Sequence, residues 1–111
     1  MIHEAECEDL CDDRLVYEIE LEDGPGPDLE LYYDREWNFL FSATEISSNT
    51  LPEAVISAIN AAYPNAFLDD HAERWEFPDG SLQYEVEVER SHGSDLDIVV
   101  DEQGRIQCED S

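Results

Sequence analysis

The chain has 111 residues, of which 41% are apolar and 10% aromatic; thirty Asp plus Glu against five Arg and no Lys give a formal charge of −25. This length allows one domain, and the apolar content is sufficient for a core. Direct binding to nucleic acid or to anionic membranes is excluded, because both depend on Lys and Arg. A basic protein or a cation stays compatible with the composition.

Two segments of the chain repeat with a fixed offset. Residues 17–22 read YEIELE and residues 84–89 read YEVEVE, so the offset is 84 − 17 = 67. The same offset without a gap pairs Gly26 with Gly93, Asp34 with Asp101, and Phe39 with Ile106. Such a long register indicates an internal duplication.

Each copy predicts an antiparallel meander, because apolar and polar residues alternate as in strands with one buried face. In the first copy, a strand over 2–10 precedes the strands 15–21 and 29–33, and the turn 34–36 leads to a strand over 37–41. In the second copy, a strand over 66–77 precedes 82–89 and 96–100, and the turn 101–104 leads to 105–108. The aromatic residues Trp37, Phe39, Phe41 and Trp75 are expected in the core.

One helix of about 13 residues is predicted between the copies. Thr50 and Glu53 have capping-box spacing, Leu51, Val55 and Ile59 form an apolar stripe, and the segment 63–65 ends the helix. We expect this helix to cover the apolar face of a sheet of six to eight strands. By the offset, the first copy's helix would fall before the start of the sequence, so the chain was cut after it or does without it.

Four segments carry a resemblance to a known family: LPEAV at 51–55, YPNA at 63–66, YEVEV at 84–88 and VVDEQGRI at 99–106. They resemble the PepSY-like, beta-lactamase-inhibitor-like domains of bacterial envelope proteins. The resemblance implies a single α+β domain over 1–111, with repeat one at 1–46 lacking its helix and repeat two at 47–111. It also implies a non-enzymatic binding or inhibitory module. The expected location is periplasmic or secreted if an upstream signal was removed, and cytoplasmic otherwise.

The strand alternation places a row of acidic residues opposite the core. We predict that this acidic face, or its rim, binds a basic protein partner by electrostatic steering. Tyr32 and Leu40, which are out of phase with the core, are expected to add an exposed apolar contact. The predicted partner-binding residues are Glu18, Glu20, Glu22, Glu30, Glu85, Glu87, Glu89, Asp97, Tyr32 and Leu40.

Three other interpretations of the acidity stay open. The face is merely solvated, or the source lives at high salt, which the absence of Lys favours. Alternatively, the carboxylates mimic a nucleic acid and inhibit a basic nucleic-acid-binding protein. An enzyme is disfavoured, no membrane insertion is expected, and a homodimer is compatible with the sequence.

No metal or cofactor is expected. The cluster of Asp69, Asp70, His71 and Glu73 lacks a second histidine at motif spacing, and no segment has the twelve-residue calcium loop of an EF-hand. We therefore interpret the cluster as surface. Cys7, Cys11 and Cys108 form either one disulfide and one thiol or three thiols, and we favour ordinary thiols.

Overall fold

The computed structural model describes residues 16–21, 29–90, 93 and 95–110, and the backbone of residues 2–9 and 15. In chain order its elements are β1 (Ile2–Asp9), β2 (Leu15–Leu21), β3 (Leu29–Tyr33), β4 (Phe39–Ser47), a 3-10 turn (Ser48–Thr50), α1 (Glu53–Ala62), β5 (Phe67–Glu76), β6 (Leu82–Glu89), β7 (Leu96–Asp101) and β8 (Ile106–Asp110). The eight strands form one antiparallel sheet in the order β1 to β8, so the predicted α+β class is confirmed. The segment between β2 and β3 lies outside the described residues.

The duplication is visible in the strand register. Tyr17 lies opposite Tyr33 between β2 and β3, and Tyr84 lies opposite Val100 between β6 and β7. Each residue of the second pair lies 67 positions after its counterpart in the first pair. The two hairpins therefore have the same register, and the pairing of β4 with β5 joins the repeats into one sheet.

The second turn of each repeat is built by one aspartate. Oδ1 of Asp34 accepts hydrogen bonds from the backbone amides two and four residues later, both at 2.9 Å. Oδ1 of Asp101 accepts the equivalent two bonds at 3.0 and 2.9 Å. In both turns the third residue after the aspartate has a positive φ, which is 66° at Trp37 and 87° at Gly104. The same local chemistry therefore shapes both turns.

The helix is shorter than predicted, and its start differs. α1 has ten residues, with Pro52 at the N-cap and no side-chain capping bond. The Thr50 hydroxyl instead donates to the Ser47 carbonyl at 2.7 Å, because Thr50 belongs to the preceding 3-10 turn. The carbonyl of Pro52 accepts the first helical bonds. The predicted capping box is therefore wrong.

The sheet has a core cluster on each face. On one face, Leu51, Val55 and Ile59 pack against Ala72, Tyr84, Val86, Val88, Leu96, Ile98 and Val100. The opposite face carries a second cluster of Val16, Tyr32, Phe41, Ala43, Trp75 and Val99. Its rings are stacked, with centroids 4.3 Å apart for Phe41 and Trp75. The expectation of a single apolar face under the helix is therefore wrong.

Three aromatic residues differ in exposure from the prediction. Tyr32, expected at the surface, is 7% exposed, because it lies beside Phe41 in the second cluster. Trp37 and Phe39, expected in the core, are 53% and 41% exposed. A register shift between Tyr32 and Tyr33 pairs Tyr33 with Phe39 and breaks the simple alternation of β4. Trp37 lies in the turn and not in a strand.

Cys108 is disulfide-bonded and lies partly buried against the second cluster. The side chain of its partner lies outside the described residues. The favoured interpretation of the cysteines as ordinary thiols is therefore wrong for Cys108.

Candidate functional site

The sheet surface opposite α1 is strongly acidic next to the second cluster. We define the acidic face by eight side chains: Glu18, Glu20, Glu30, Glu45, Glu73, Glu85, Glu87 and Asp97. The strand alternation explains their position, since Glu85 and Glu87 flank Val86, which is buried beneath α1. The apolar and acidic residues of one strand thus point to opposite sides of the sheet.

Carboxylates of neighbouring strands lie directly opposite one another on this face. Glu73 lies between Glu45 and Glu85, which forms one row across β4, β5 and β6. A second row crosses β6, β7 and β8 through Glu87, Asp97 and Asp110.

Glu20 and Glu30 also lie directly opposite each other between β2 and β3, although the raised pKa of Glu30 keeps that group uncharged at neutral pH. Like charges in directly opposed positions are destabilising, by up to about 1 kcal/mol each when exposed. The face therefore reduces the stability of the isolated chain.

An open groove of about 180 Å³ lies along the first row. It is lined by Glu45, Asp69, His71, Ala72, Glu73, Glu85, Glu87 and Asp97. Nδ1 of His71 lies 3.6 Å from Oε1 of Glu45. With six carboxylates and one imidazole on its walls, the groove has the chemistry to receive a guanidinium or ammonium group.

Glu30 lies partly buried among the carboxyl groups of Glu18 and Glu73. The pKa of Glu30 is raised to about 9, first by burial and then by the neighbouring carboxyl groups of Glu18 and Glu73. The Tyr32 hydroxyl lies 3.4 Å from carboxylate oxygens of both Glu18 and Glu30 and donates to them. Its pKa is also raised, by burial and then by Glu30. Glu30 is therefore protonated at neutral pH.

The pKa values of Glu87 and Asp97 are raised as well. The first cause for both is desolvation, followed by the charge of Asp69 for Glu87 and of Asp110 for Asp97. The second row thus also resists full ionisation. A cation on this face would favour the charged forms.

Two trios of carboxylates have oxygen atoms within 4.8 Å of one another and could hold a cation: Glu18, Glu20 and Glu30, and Glu87, Glu89 and Asp95. Their oxygen ligands suit a hard divalent cation. Exposed acidic groups are common without an ion, however, and the trios are part of the wider acidic surface.

Most of the predicted partner-binding residues come together in space. Glu18, Glu20, Glu30, Glu85, Glu87 and Asp97 lie on the acidic face, and Glu89 lies at the end of β6. Tyr32 is buried at the border of the face, and Leu40 is partly buried against the second cluster. Glu22 lies outside the described residues.

Glu45 lies on the acidic face, although it was not among the predicted partner-binding residues. Likewise, Asp69, His71 and Glu73 were treated as a separate surface cluster, yet they line the groove with Glu85 and Glu87. The missing link is the pairing of β4 with β5, which brings the repeats together. Glu45 lies two and four positions after Ala43 and Phe41, so strand alternation contained this signal.

The chain matches a known protein family and resembles solved structures. A family model described as PepSY-like and beta-lactamase-inhibitor-like matches residues 3–41 and again 41–108. The crystal structure of a BLIP-like protein from Bacteroides fragilis is similar, with 27% identity and a TM-score of 0.61 over 97% of this chain and 74% of that one.

A DUF2874 family protein from Bacteroides uniformis has the same fold, with 18% identity and a TM-score of 0.62, over 98% of this chain and 78% of that one. No curated protein matches the chain. Among the described residues, no helix has the length and apolar character needed to span a membrane.

Proposed function

Because the chain belongs to the PepSY-like, beta-lactamase-inhibitor-like family, we propose that it is a non-enzymatic module whose acidic face binds a basic protein. The observation that carries this proposal is the set of directly opposed carboxylate rows on the side of the sheet that α1 leaves free. The comparisons support a protein-binding or inhibitor-like module. The nature of the partner is our inference from charge.

The carboxylate rows affect both the free energy and the rate of binding. The opposed carboxylates repel one another in the free protein, and a partner's Arg or Lys would relieve that repulsion on binding. The net charge of −25 would in addition attract a basic partner over a Debye length of about 8 Å at physiological salt. Association should therefore be fast and sensitive to ionic strength.

The groove gives this surface a place for a specific contact. Its six carboxylates line a cavity of about 180 Å³, which suits one or two cationic side chains.

We also propose that the protein acts in an extracytoplasmic compartment, where it inhibits its partner. The disulfide at Cys108 supports this location, because disulfides persist in oxidising environments. Inhibition follows if the acidic face covers a functional surface of the partner. The description of the matching family as beta-lactamase-inhibitor-like also supports an inhibitory role.

The test is affinity capture from an envelope extract with three forms of the protein. The first is the wild type, and the second carries Glu18→Gln, Glu20→Gln, Glu85→Gln and Glu87→Gln. The third is a matched control with four changes away from the acidic face, namely Glu36→Gln, Glu53→Gln, Glu76→Gln and Glu102→Gln. Both variants have the same net charge.

We expect the acidic-face variant to lose a partner that the wild type and the control both retain, and the loss to be greatest at low salt. Equal capture by all three forms would contradict the proposal. Equal loss by both variants would assign the binding to net charge alone. Competition of the captured partner by a nucleic acid would instead indicate nucleic-acid mimicry.

A further inference from the structure

One carboxyl group of the acidic face is held between two others. Glu30 is partly buried and is hydrogen-bonded to the side chains of Glu18 and Glu73. We call these three residues the Glu30 triad. Two carboxyl groups can share a hydrogen bond only if one of them carries a proton, because an ionised carboxylate has no donor. The geometry of the triad therefore requires a bound proton.

Two aromatic side chains of the second cluster hold the triad in place. The Tyr32 hydroxyl lies 3.4 Å from carboxyl oxygens of both Glu18 and Glu30. Nε1 of Trp75 donates to Oε1 of Glu73 at 3.2 Å. Tyr32 and Trp75 are 7% and 5% exposed, so the packing of the core fixes their positions. The three carboxyl groups therefore have little freedom to move apart when they ionise.

Further carboxyl groups face Glu30 from the strands around it. Glu20 lies directly opposite Glu30 on β2. On β4, Ala43 lies opposite Glu30, and Glu45 follows two residues later on the same side of the strand. Among the described side chains, the titratable groups that complete this neighbourhood are Glu85 on β6, whose charge acts on Tyr32, and His71 on β5, which lies beside Glu45.

Glu73 connects the triad with the groove. Its side chain lines the groove and is also hydrogen-bonded to Glu30. A guanidinium or ammonium group that enters the groove therefore brings positive charge next to the triad. A nearby positive charge favours the ionised form of a carboxyl group. The cation and the proton thus compete for the same group of side chains.

We propose that a basic partner binds the acidic face with release of a proton from Glu30 to the solvent, so that the face binds cations more tightly as the pH rises. This coupling rests on the proposed function, since it regulates the same surface. The Glu30 carboxylic acid becomes a carboxylate, and the partner's positive charge compensates the new negative charge.

The sign and size of the effect follow from the proton that the free protein holds. The pKa of Glu30 is about 9 in the free chain, and the bound cation lowers it. Below that pKa the partner has to displace the proton, and this becomes easier as the pH rises. Release of one proton strengthens binding by up to about tenfold for each pH unit.

Isothermal titration calorimetry with a tetra-arginine peptide tests the coupling. The peptide is blocked at both ends so that it does not titrate near neutral pH, and EDTA removes divalent cations. Titrations at pH 7 in phosphate and in Tris, which differ in ionisation enthalpy, give the number of protons released. The proteins are the wild type, Glu30→Gln, and the control Glu53→Gln on the exposed side of α1. Circular dichroism verifies that each is folded.

We expect the wild type and Glu53→Gln to release close to one proton more than Glu30→Gln, whose amide has no acidic proton. From pH 6 to pH 8, binding should tighten much more steeply in the wild type than in Glu30→Gln. His71 is present in all three proteins, so its titration does not contribute to the difference. In the wild type, the carbon-13 shift of the Glu30 carboxyl should titrate at a lower pH when the peptide is bound.

Two results would overturn the coupling and leave the proposed function standing. One is equal proton release by all three proteins when each binds the peptide. The other is a Glu30 carboxyl that titrates at the same pH with and without the peptide, which is measured on the wild type and needs no variant. A wild type that does not bind the peptide at pH 8, where the coupling predicts the tightest binding, would contradict the proposed function as well.

Discussion

The close contact between Gly104 and α1 gives the sharpest prediction about the fold. Gly104→Ala should destabilise the protein through two effects. At a φ of 87°, an alanine costs roughly 1–2 kcal/mol relative to glycine. In addition, the new Cβ would lie 2.6 Å from the Ala54 carbonyl oxygen, whereas ordinary contacts begin at 3.4 Å.

The collision requires α1 to move away from the sheet by several tenths of an ångström. Because α1 covers the first core cluster, the expected cost resembles that of overpacking, about 1–3 kcal/mol. Gly80→Ala is the matched control, since Gly80 also has a φ of 87° but no atom lies within 4 Å of its Cβ position. Both variants share the backbone effect, and only one has the collision.

Thermal unfolding followed by circular dichroism measures the difference. At about 4 °C per kcal/mol for a domain of this size, Gly104→Ala should melt about 4–12 °C below Gly80→Ala. Equal melting temperatures for the two variants would refute the reasoning. They would show that α1 does not rest on the turn of Asp101.

Three further predictions follow. Phe41→Ala should cost about 3–5 kcal/mol in urea unfolding, as much as a substitution beneath α1, because the second cluster is a true core; a cost below 1 kcal/mol would contradict this. Since the raised pKa of Glu30 means that the folded chain binds an extra proton between its usual pKa near 4.5 and about 9, stability should fall as the pH rises through this range. Glu30→Gln should raise the melting temperature at pH 8 and change it little at pH 4. The control Glu53→Gln should change the melting temperature little at either pH. Added KCl up to about 0.3 M should raise the melting temperature by screening the carboxylate rows; a continued steep rise at molar KCl would instead indicate adaptation to high salt.

The strands and the equivalence of the two hairpins could be predicted from local patterns. The alternation around Tyr17 and Tyr84 and the 67-residue offset were sufficient to locate both hairpins and the aspartate turns. These features depend on side-chain alternation and turn chemistry within a few residues. Such signals are contained in short segments of sequence.

The predictions that failed concern residues whose position depends on the pairing of the whole sheet. Phe41 and Trp75 lie in a core as predicted, but this core is a second cluster on the face opposite α1, which also buries Tyr32. A single register shift beside Tyr33 reverses the side on which Phe39 lies, and no local pattern indicates it. Trp37 looks like a strand residue in sequence, although it occupies a left-handed turn position.

The acidic face likewise has a part that local patterns predicted and a part that depends on the pairing of distant strands. Alternation alone placed Glu85 and Glu87 opposite the helix, as the structure has them. The contribution of Glu45 and Glu73 required the pairing of β4 with β5, which connects the two repeats and is not a hairpin. The groove between them is a tertiary feature.

The central claim is that the acidic face, and not the negative charge in general, receives a cationic partner. Titration of the isotope-labelled chain with tetra-arginine, followed by backbone amide chemical shifts, tests it most directly. We predict that the shifts concentrate at Glu45, Glu73, Glu85 and Glu87 and leave Glu53, Glu76 and Glu102 almost unchanged. Shifts of similar size at both sets of residues would contradict the account.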